Sequence, residues 1–403
     1  MERFLEELLI EPWRIPVIIA AAAGIYLGFM VLAKVFGTRV LMSLTASDAV
    51  VVLMFGAVGG RVILGHPPTL AAGLVGLATA LRLADRGHDV TLQDPSPASG
   101  ATHHAGGMLA PVAEVVYRQE PLFPLMLRSA ELYPGLLRVV EKHTDLPTGY
   151  RTEGTLVVAA DRADATHLAE LSEYQASHAM TAERLPLRQA RSLEPALSPQ
   201  LAGAVHIPGD HQVNPRLFAA ALLDALSTLG VRIIRERADA LPEGHVILAN
   251  GLGASALHAG LKLRPVYGDI LRLGVPAHLQ PLLTRVVRGF VEDRPVYLIP
   301  RTDDTIAVGA TSREDDRPVP RTGAVHDLLR DATRLVPGIE ECDFLEATTG
   351  ARPGTPDDLP YLGRVNENLI VSTGYFRHGI LLTALAADVA VHLVEGTDPG
   401  IDL

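Results

Sequence analysis

The chain of 403 residues holds a single cysteine, Cys342. One thiol has no internal partner, which excludes an internal disulfide and any cysteine-held metal cluster and suits a reducing cytosol. Positive charge is also short: 35 Lys and Arg against 46 Asp and Glu leave a formal net charge of −11. Without a basic excess to neutralise phosphates, a nucleic-acid partner is not expected. No internal repeat or low-complexity segment stands out. What remains is a chain long enough for two or three domains with a sizeable core.

Apolar residues are there in excess. They make up 48% of the chain, mean hydropathy is +0.22, and the excess is concentrated at the front. Ile15–Ala33 carries no charge and at ~1.5 Å per residue is just long enough to cross a bilayer core. Trp13 and Arg14 before it, and Lys34 and Arg39 after it, suit interfacial anchoring. Glu2, Glu6, Glu7 and Glu11 argue against a secretory signal. Ala49–Leu64, interrupted by Arg61, is a weaker span, and Val62–Leu81 a third. Lys34 and Arg39 favour the inside, so a cytosolic C-terminal part needs an odd number of spans. Three spans would consume the helix discussed next. A buried soluble helix is the alternative for Ile15–Ala33. With "LTASDAVVVLMFGAVGGRVILGHPPTLAAGL", the first 75 residues resemble the N-terminal helical module of a family of small, uncharacterised bacterial inner-membrane proteins. That resemblance implies a membrane tether through residues 1–66, with the remainder on the cytoplasmic face.

From Gly73, "GLVGLATALRLADRGHDVTLQD" reads as a helix ended by Gly87 and a strand closing on Asp94. A dinucleotide fingerprint needs glycine at three places: for the tight turn, for backbone approach to the pyrophosphate, and for helix–strand packing. Those places hold Ala71, Gly73 and Gly76, so the first is lost. Pro67 and Pro68 make the preceding strand improbable as a central parallel one. The rest fits, because Asp94 lies 18 residues after Gly76, where a ribose-binding acid belongs. After it, "SPASGATHHAGGMLAP" is a small-residue loop that lets backbone lie close to something extended. Its His103 and His104 read as solvated rather than metal-binding, and no metal is expected.

Further on, 123–143 reads as an amphipathic helix kinked or broken at Pro134. "EGTLVVAAD" is strand-like and a polar helix follows. "LAGAVHIPGDHQVNPRLFAAALLDALSTLGVRIIRER" runs strand, turn, helix, strand, with Pro215 at a helix start. "GHVILANGLGASAL" returns the chain to a first sheet, while "RPVYGDILRLGV" and "PVYLIPRTDDTIAVGATS" alternate like antiparallel strands. "TGARPGTPDDLPYLG" places Arg352 on a stiff turn, and "NLIVSTGYFRHGILLTALAADVAVHLVEG" gives a strand, a loop from Gly374 to Gly379 and an apolar helix. Backbone N–H groups at that helix start favour negative charge. Surface salt bridging is the alternative for Arg352 and Arg377.

"HHAGGMLAP", "VNPRLFAAALLDA", "RPVYGDILRL", "YLIPRTDDTIAVGAT", "ARPGTPDDLPYLG" and "TGYFRHGILL", in this order over 73–395, resemble the FAD-dependent glycine oxidases of thiamine thiazole biosynthesis, in the D-amino-acid oxidase superfamily. The resemblance implies an α/β fold: a FAD-binding Rossmann-like domain (67–110, 210–262, 347–403) with an inserted antiparallel-sheet substrate domain (111–209, 263–346). FAD would contact Gly73, Leu74, Val75 and Gly76 at the pyrophosphate turn, and Asp94 and Pro95 at the ribose. Ala101, Thr102, Gly106, Gly107 and Met108 would line the cofactor, and Tyr375, Phe376, Arg377, His378, Gly379, Ile380 and Leu381 would run under the flavin. Arg352 would pair with the substrate carboxylate, Arg377 would be a second arginine there, and Tyr297 an active-site tyrosine. Tyr375 stands where the family usually has histidine, and Ser312 where a larger methionine can line the pocket. The partners implied are a small amino acid, glycine first, and oxygen; self-association stays open. Two other readings remain: a membrane-anchored dehydrogenase passing electrons to quinone, and a remnant unable to hold FAD.

Overall fold

The computed structural model describes residues 73–401 apart from Glu243. The apolar N-terminal segment, Ala71 and the strand expected near Thr69 lie outside the described residues. No described helix is long and apolar enough to cross a membrane.

Helix α1 (Leu74–Asp85) starts directly after Gly73 and buries Leu74, Leu77, Ala78 and Leu81 along one face. It stops where Gly87 takes φ +89°, a conformation glycine adopts without a Cβ penalty. Strand β1 (Thr91–Gln93) follows. Helix α2 (Phe123–Glu141) comes next, then β2 (Thr155–Ala159) and α3 (Arg162–Ser177). The cap of α3 is Asp161, which accepts from the amides of Ala163 and Asp164. Then come β3 (Glu183–Arg184), β4 (Gly203–Ile207), α4 (Pro215–Thr228), β5 (Arg232–Ile234) and β6 (Val246–Leu248). Asn214 caps α4 with Pro215 at its first position. The chain continues through β7 (Arg264–Gly274), β8 (Val286–Val291), β9 (Arg294–Pro300), β10 (Thr305–Gly309), α5 (Thr322–Leu335), β11 (Asp343–Gly354), β12 (Tyr361–Asn366), β13 (Leu369–Thr373) and α6 (Thr383–Glu395).

Strand β1 pairs in parallel with β5, and β13 pairs in parallel with β6 and antiparallel with β12. Helices α1, α2, α4 and α6 share one core, which includes Leu77, Leu81, Tyr133, Phe218 and Leu385. The large sheet has the order β11-β7-β10-β9-β8-β2-β4-β3. A second core, with Leu156, Leu271, Leu298 and Leu335, covers one of its faces. The sheet is antiparallel as expected except where β8 runs parallel to β2. Its edge strand β11 pairs with β7 from Asp343 to Gly354, so the domain boundary expected at 346/347 falls inside a strand.

Two other expectations are corrected. Helix α2 is not broken at Pro134 but continues to Glu141. Pro134 sits on the exposed side, where the carbonyl it leaves unbonded can reach water, while Tyr133, Leu136 and Leu137 stay buried. The C-terminal apolar helix begins at Thr383, three residues later than the loop end at Gly379 implied; turns fill the gap, with Leu382 N–H donating to the His378 carbonyl at 2.8 Å.

Candidate active site

The first end of the site lies at the start of α1. Its N-cap residue, Gly73, has no side chain to cap it and its first turn holds no acid, so its N-terminal dipole is available to an anion. Leu74 N–H donates to Thr102 Oγ1 at 3.2 Å. A Cβ on Gly73 would lie 2.9 Å from that same oxygen. The side chains of Leu74 and Val75 are core, so only their backbone faces outward.

Asp94 is 1% exposed. Its Oδ1 accepts from Ser96 N–H at 2.7 Å, whereas its Oδ2 is buried with no hydrogen-bond partner. An orphaned carboxylate oxygen is costly unless a ligand donor completes it, and burial pushes the Asp94 pKa up to about 6. Pro95 follows it, half-buried. A dinucleotide supplies both things these residues lack: a negative charge at the N-terminus of α1 and a ribose hydroxyl for Asp94. The residues present fit FAD.

Ala101 and Thr102 belong to a short 3-10 turn, Ala101–His104, leading to Gly106, Gly107 and Met108. Gly107 takes φ +87°, and a Cβ there would strike the Val213 carbonyl and lie 2.7 Å from Pro215 Cδ. Three arginines hold this loop. Arg216 Nε and Arg272 Nη2 both donate to the His103 carbonyl, at 3.1 and 3.2 Å. Arg301 donates to the Gly106 carbonyl, and to Val213 O at 2.8 Å. The two histidines are partly buried rather than fully solvated. His104 packs against Gly350, and burial drives its pKa down to about 4. No group of side chains among the described residues could hold a metal ion.

At the other end, Phe376 N–H donates to the Pro353 carbonyl at 2.9 Å. This bond joins the Gly374–Leu381 loop to β11, the strand that carries Arg352 in place of the stiff turn expected there; pairing with β7 keeps it extended. Phe376 itself takes φ +46°. Arg352 lies against the Cα of Gly268, where a Cβ would come within 2.5 Å of its Cζ. It donates to the Thr311 carbonyl at 3.2 Å. Burial lowers its pKa, with Arg377 adding to the effect and Tyr297 opposing it. Tyr297, on β9, pairs across the ladders with Arg288 on one side and Gly309 on the other. Burial raises its phenol pKa, against the pull of Arg352, Arg377, Arg288 and Arg301, so Tyr297 keeps its proton at neutral pH. The structure thus brings Tyr297, Arg352 and Arg377 together.

The Gly374–Leu381 loop presents mostly backbone. The Tyr375 side chain turns into the helical core, where its hydroxyl meets Ser372 Oγ at 2.8 Å. Tyr133 and Ser129 of α2 donate to the carbonyls of Ile380 and Leu381, at 2.7 and 2.6 Å. Among the described residues, no hydrogen bond uses the amides of Gly379, Ile380 or Leu381. His378 is buried, and its pKa is pushed down to about 3 by desolvation and by the charges of Arg377 and Arg288. Ser312 is exposed.

Sequence reasoning missed four residues here. Glu114 is paired with Arg288 and lies 3.6 Å from Arg377 through Oε2. Asp210, fully buried, accepts from the amides of Val112 at 3.3 Å and Ala113 at 3.1 Å, fixing the turn before Glu114. Arg301 is the fourth. One signal was present for Arg288: it is the lone charge in "VVRGFV", a strand buried at every position.

A nucleotide cradle joined to a buried arginine–tyrosine cluster, on an α/β fold, defines a flavin-dependent oxidoreductase. Residues 72–393 match the family described as FAD dependent oxidoreductase, and the chain belongs to it. It is 32% identical over 363 residues to the glycine oxidase of Geobacillus kaustophilus, covering 83% of this chain and 94% of that one. It is also 32% identical over 348 residues to the bifunctional protein ThiO/ThiG of Trichormus variabilis, covering 81% of this chain and 52% of that one. The crystal structure of the Geobacillus kaustophilus glycine oxidase superposes with a TM-score of 0.75 at 31% identity, covering 83% of this chain and 95% of that one.

Proposed function

We propose that this chain is an FAD-dependent amino-acid oxidase acting on a small amino acid, glycine first. Its products are the imine, hydrolysed to glyoxylate and ammonia, and hydrogen peroxide from oxygen, and it supplies thiazole synthesis for thiamine. The relatives named glycine oxidase and ThiO/ThiG support the substrate and the pathway. The observation that carries the site is the Phe376–Pro353 hydrogen bond, which holds the backbone-rich loop against the Arg352 strand beside Tyr297.

Bound FAD supplies the two-electron acceptor. Asp94 Oδ2 would accept a ribose hydroxyl, the N-terminal amides of α1 would take the pyrophosphate, and the amides of Gly379–Leu381 would serve the polar edge of the flavin. Arg352 takes the substrate carboxylate through its fork of N–H donors, which fixes orientation as well as charge. Tyr297 Oη keeps its proton and donates it in a hydrogen bond to the same carboxylate. No side chain is required as a base when the amine arrives neutral, so positioning is the protein's main contribution. A membrane tether through residues 1–66, with the oxidase on the cytoplasmic face, belongs to this reading.

The test is the absorbance spectrum of the detergent-purified full chain, followed by oxygen uptake and peroxide release with glycine. A flavin spectrum with glycine-dependent peroxide is expected. A colourless protein that stays so with added FAD sinks the proposal, and turnover only with a quinone analogue moves it to a dehydrogenase.

A further inference from the structure

The two site arginines are not equivalent. Arg352 makes no ion pair among the described residues; its partner is the Thr311 carbonyl. Arg377 faces Glu114 Oε2 at 3.6 Å. Two other carboxylates influence these guanidinium groups, but each is held by another arginine: Asp269 by Arg313 at 3.0 Å and Asp358 by Arg264 at 2.7 Å. Glu114 is itself held in place. Arg288, 6% exposed, pairs with it from β8, and Asp210 grips the two amides just before it. A carboxylate so fixed cannot move aside without leaving Arg288 buried and unpaired, which is strongly unfavourable.

We propose that Glu114 is a specificity-determining residue that guards Arg377, so that the site takes amino acids with one carboxylate and rejects those with a second anionic group. Arg352 is the open anion site and Arg377 the guarded one. A second carboxylate on the substrate nitrogen or side chain would meet Glu114 as a like charge before it could reach Arg377. Exchange of Glu114 for its neutral isostere removes that repulsion and frees a guanidinium for charge-assisted hydrogen bonds.

The inference rests on the amino-acid oxidase reading, and its test separates the two. FAD-loaded wild type and Glu114→Gln are titrated with glycolate and with diglycolate, following the flavin absorbance, and then assayed with glycine and iminodiacetate. Wild type is expected to bind glycolate at least as tightly as diglycolate. Glu114→Gln is expected to favour diglycolate by roughly tenfold more than wild type does, the worth of one charge-assisted hydrogen bond, with a parallel gain in the iminodiacetate-to-glycine ratio of kcat/KM. Glu114→Asp, which keeps the charge, is expected to stay near wild type. A wild type that already prefers diglycolate tenfold overturns the proposal without any variant, as does an unchanged ratio in Glu114→Gln or an equal change in Glu114→Asp. If neither amine is oxidised, the oxidase reading fails, while the titration still reports the charge the pocket accepts.

Discussion

Replacing Gly309 by alanine should disable Tyr297 without touching it chemically. Gly309 faces Tyr297 across the β9–β10 ladder. A Cβ there would lie 2.5 Å from Tyr297 Cζ and nearer still to the hydroxyl. On its other side the ring is hemmed in by Gly106, whose own Cβ position is 2.9 Å from the hydroxyl. Ordinary carbon contacts need ~3.5 Å or more, so the ring must move by about an ångström. A hydrogen bond to a charged group contributes roughly 1.5–3 kcal/mol, so its loss lowers kcat/KM for glycine by about 10- to 150-fold. Crowding costs a further ~1–3 kcal/mol of stability. The assay is a double-mutant cycle on steady-state oxygen uptake. In a Tyr297→Phe background the hydroxyl is already gone, so Gly309→Ala should add little. Wild-type kinetics for Gly309→Ala, or full additivity with Tyr297→Phe, would refute the reasoning.

Local pattern reached one half of this site and not the other. The helix Leu74–Asp85, its stop at Gly87 and the acid at Asp94 follow from short-range rules about periodicity, left-handed glycine and fingerprint spacing. Arg352 and the loop after Gly374 were visible as motifs; Arg352 nevertheless lies within strand β11 and not on a turn, because its ladder partner Val266 is far away in sequence. Glu114 and Arg288 left no such mark together. Their meaning comes from the pairing of β8 with β9, which sets Arg288 opposite Tyr297, and from a turn held by Asp210 far along the chain. Pro134 shows the converse: a one-residue rule gave way where the proline falls on the exposed side of a helix whose other face is buried. The boundary at 346/347 went the same way, since β11 is held to β7 along its whole length by pairing that no local composition reveals.

Arg352→Ala should raise the KM for glycine sharply while flavin stays bound, and Arg352→Lys should restore little, because an ammonium lacks the planar fork; unchanged glycine kinetics would refute that role. Ser129→Ala removes the hydroxyl that donates to Leu381 O at 2.6 Å and accepts from Leu385 N–H at 3.0 Å. It should cost about 1–2 kcal/mol by thermal unfolding and weaken FAD binding, and wild-type values of both would place the Gly379–Leu381 amides outside the cofactor site. The last prediction concerns pH. Burial lifts the Asp94 pKa from the ordinary 3.8 to about 6 in the FAD-free chain. A raised folded-state value means the native protein holds the proton more tightly than the unfolded chain. Stability of the FAD-free protein should therefore fall as pH rises from about 4 to about 6. FAD reverses the preference, because a ribose hydroxyl needs an ionised acceptor at Oδ2. The FAD dissociation constant, read by flavin fluorescence, should then climb as pH drops below about 6 and level off above it, about tenfold for each unit once Asp94 is protonated. Asp94→Asn should bind FAD more weakly at neutral pH and lose that slope. A wild-type dissociation constant flat from pH 5 to 7, over the window in which Asp94 titrates, would mean that the buried oxygen of Asp94 is completed by something other than the cofactor.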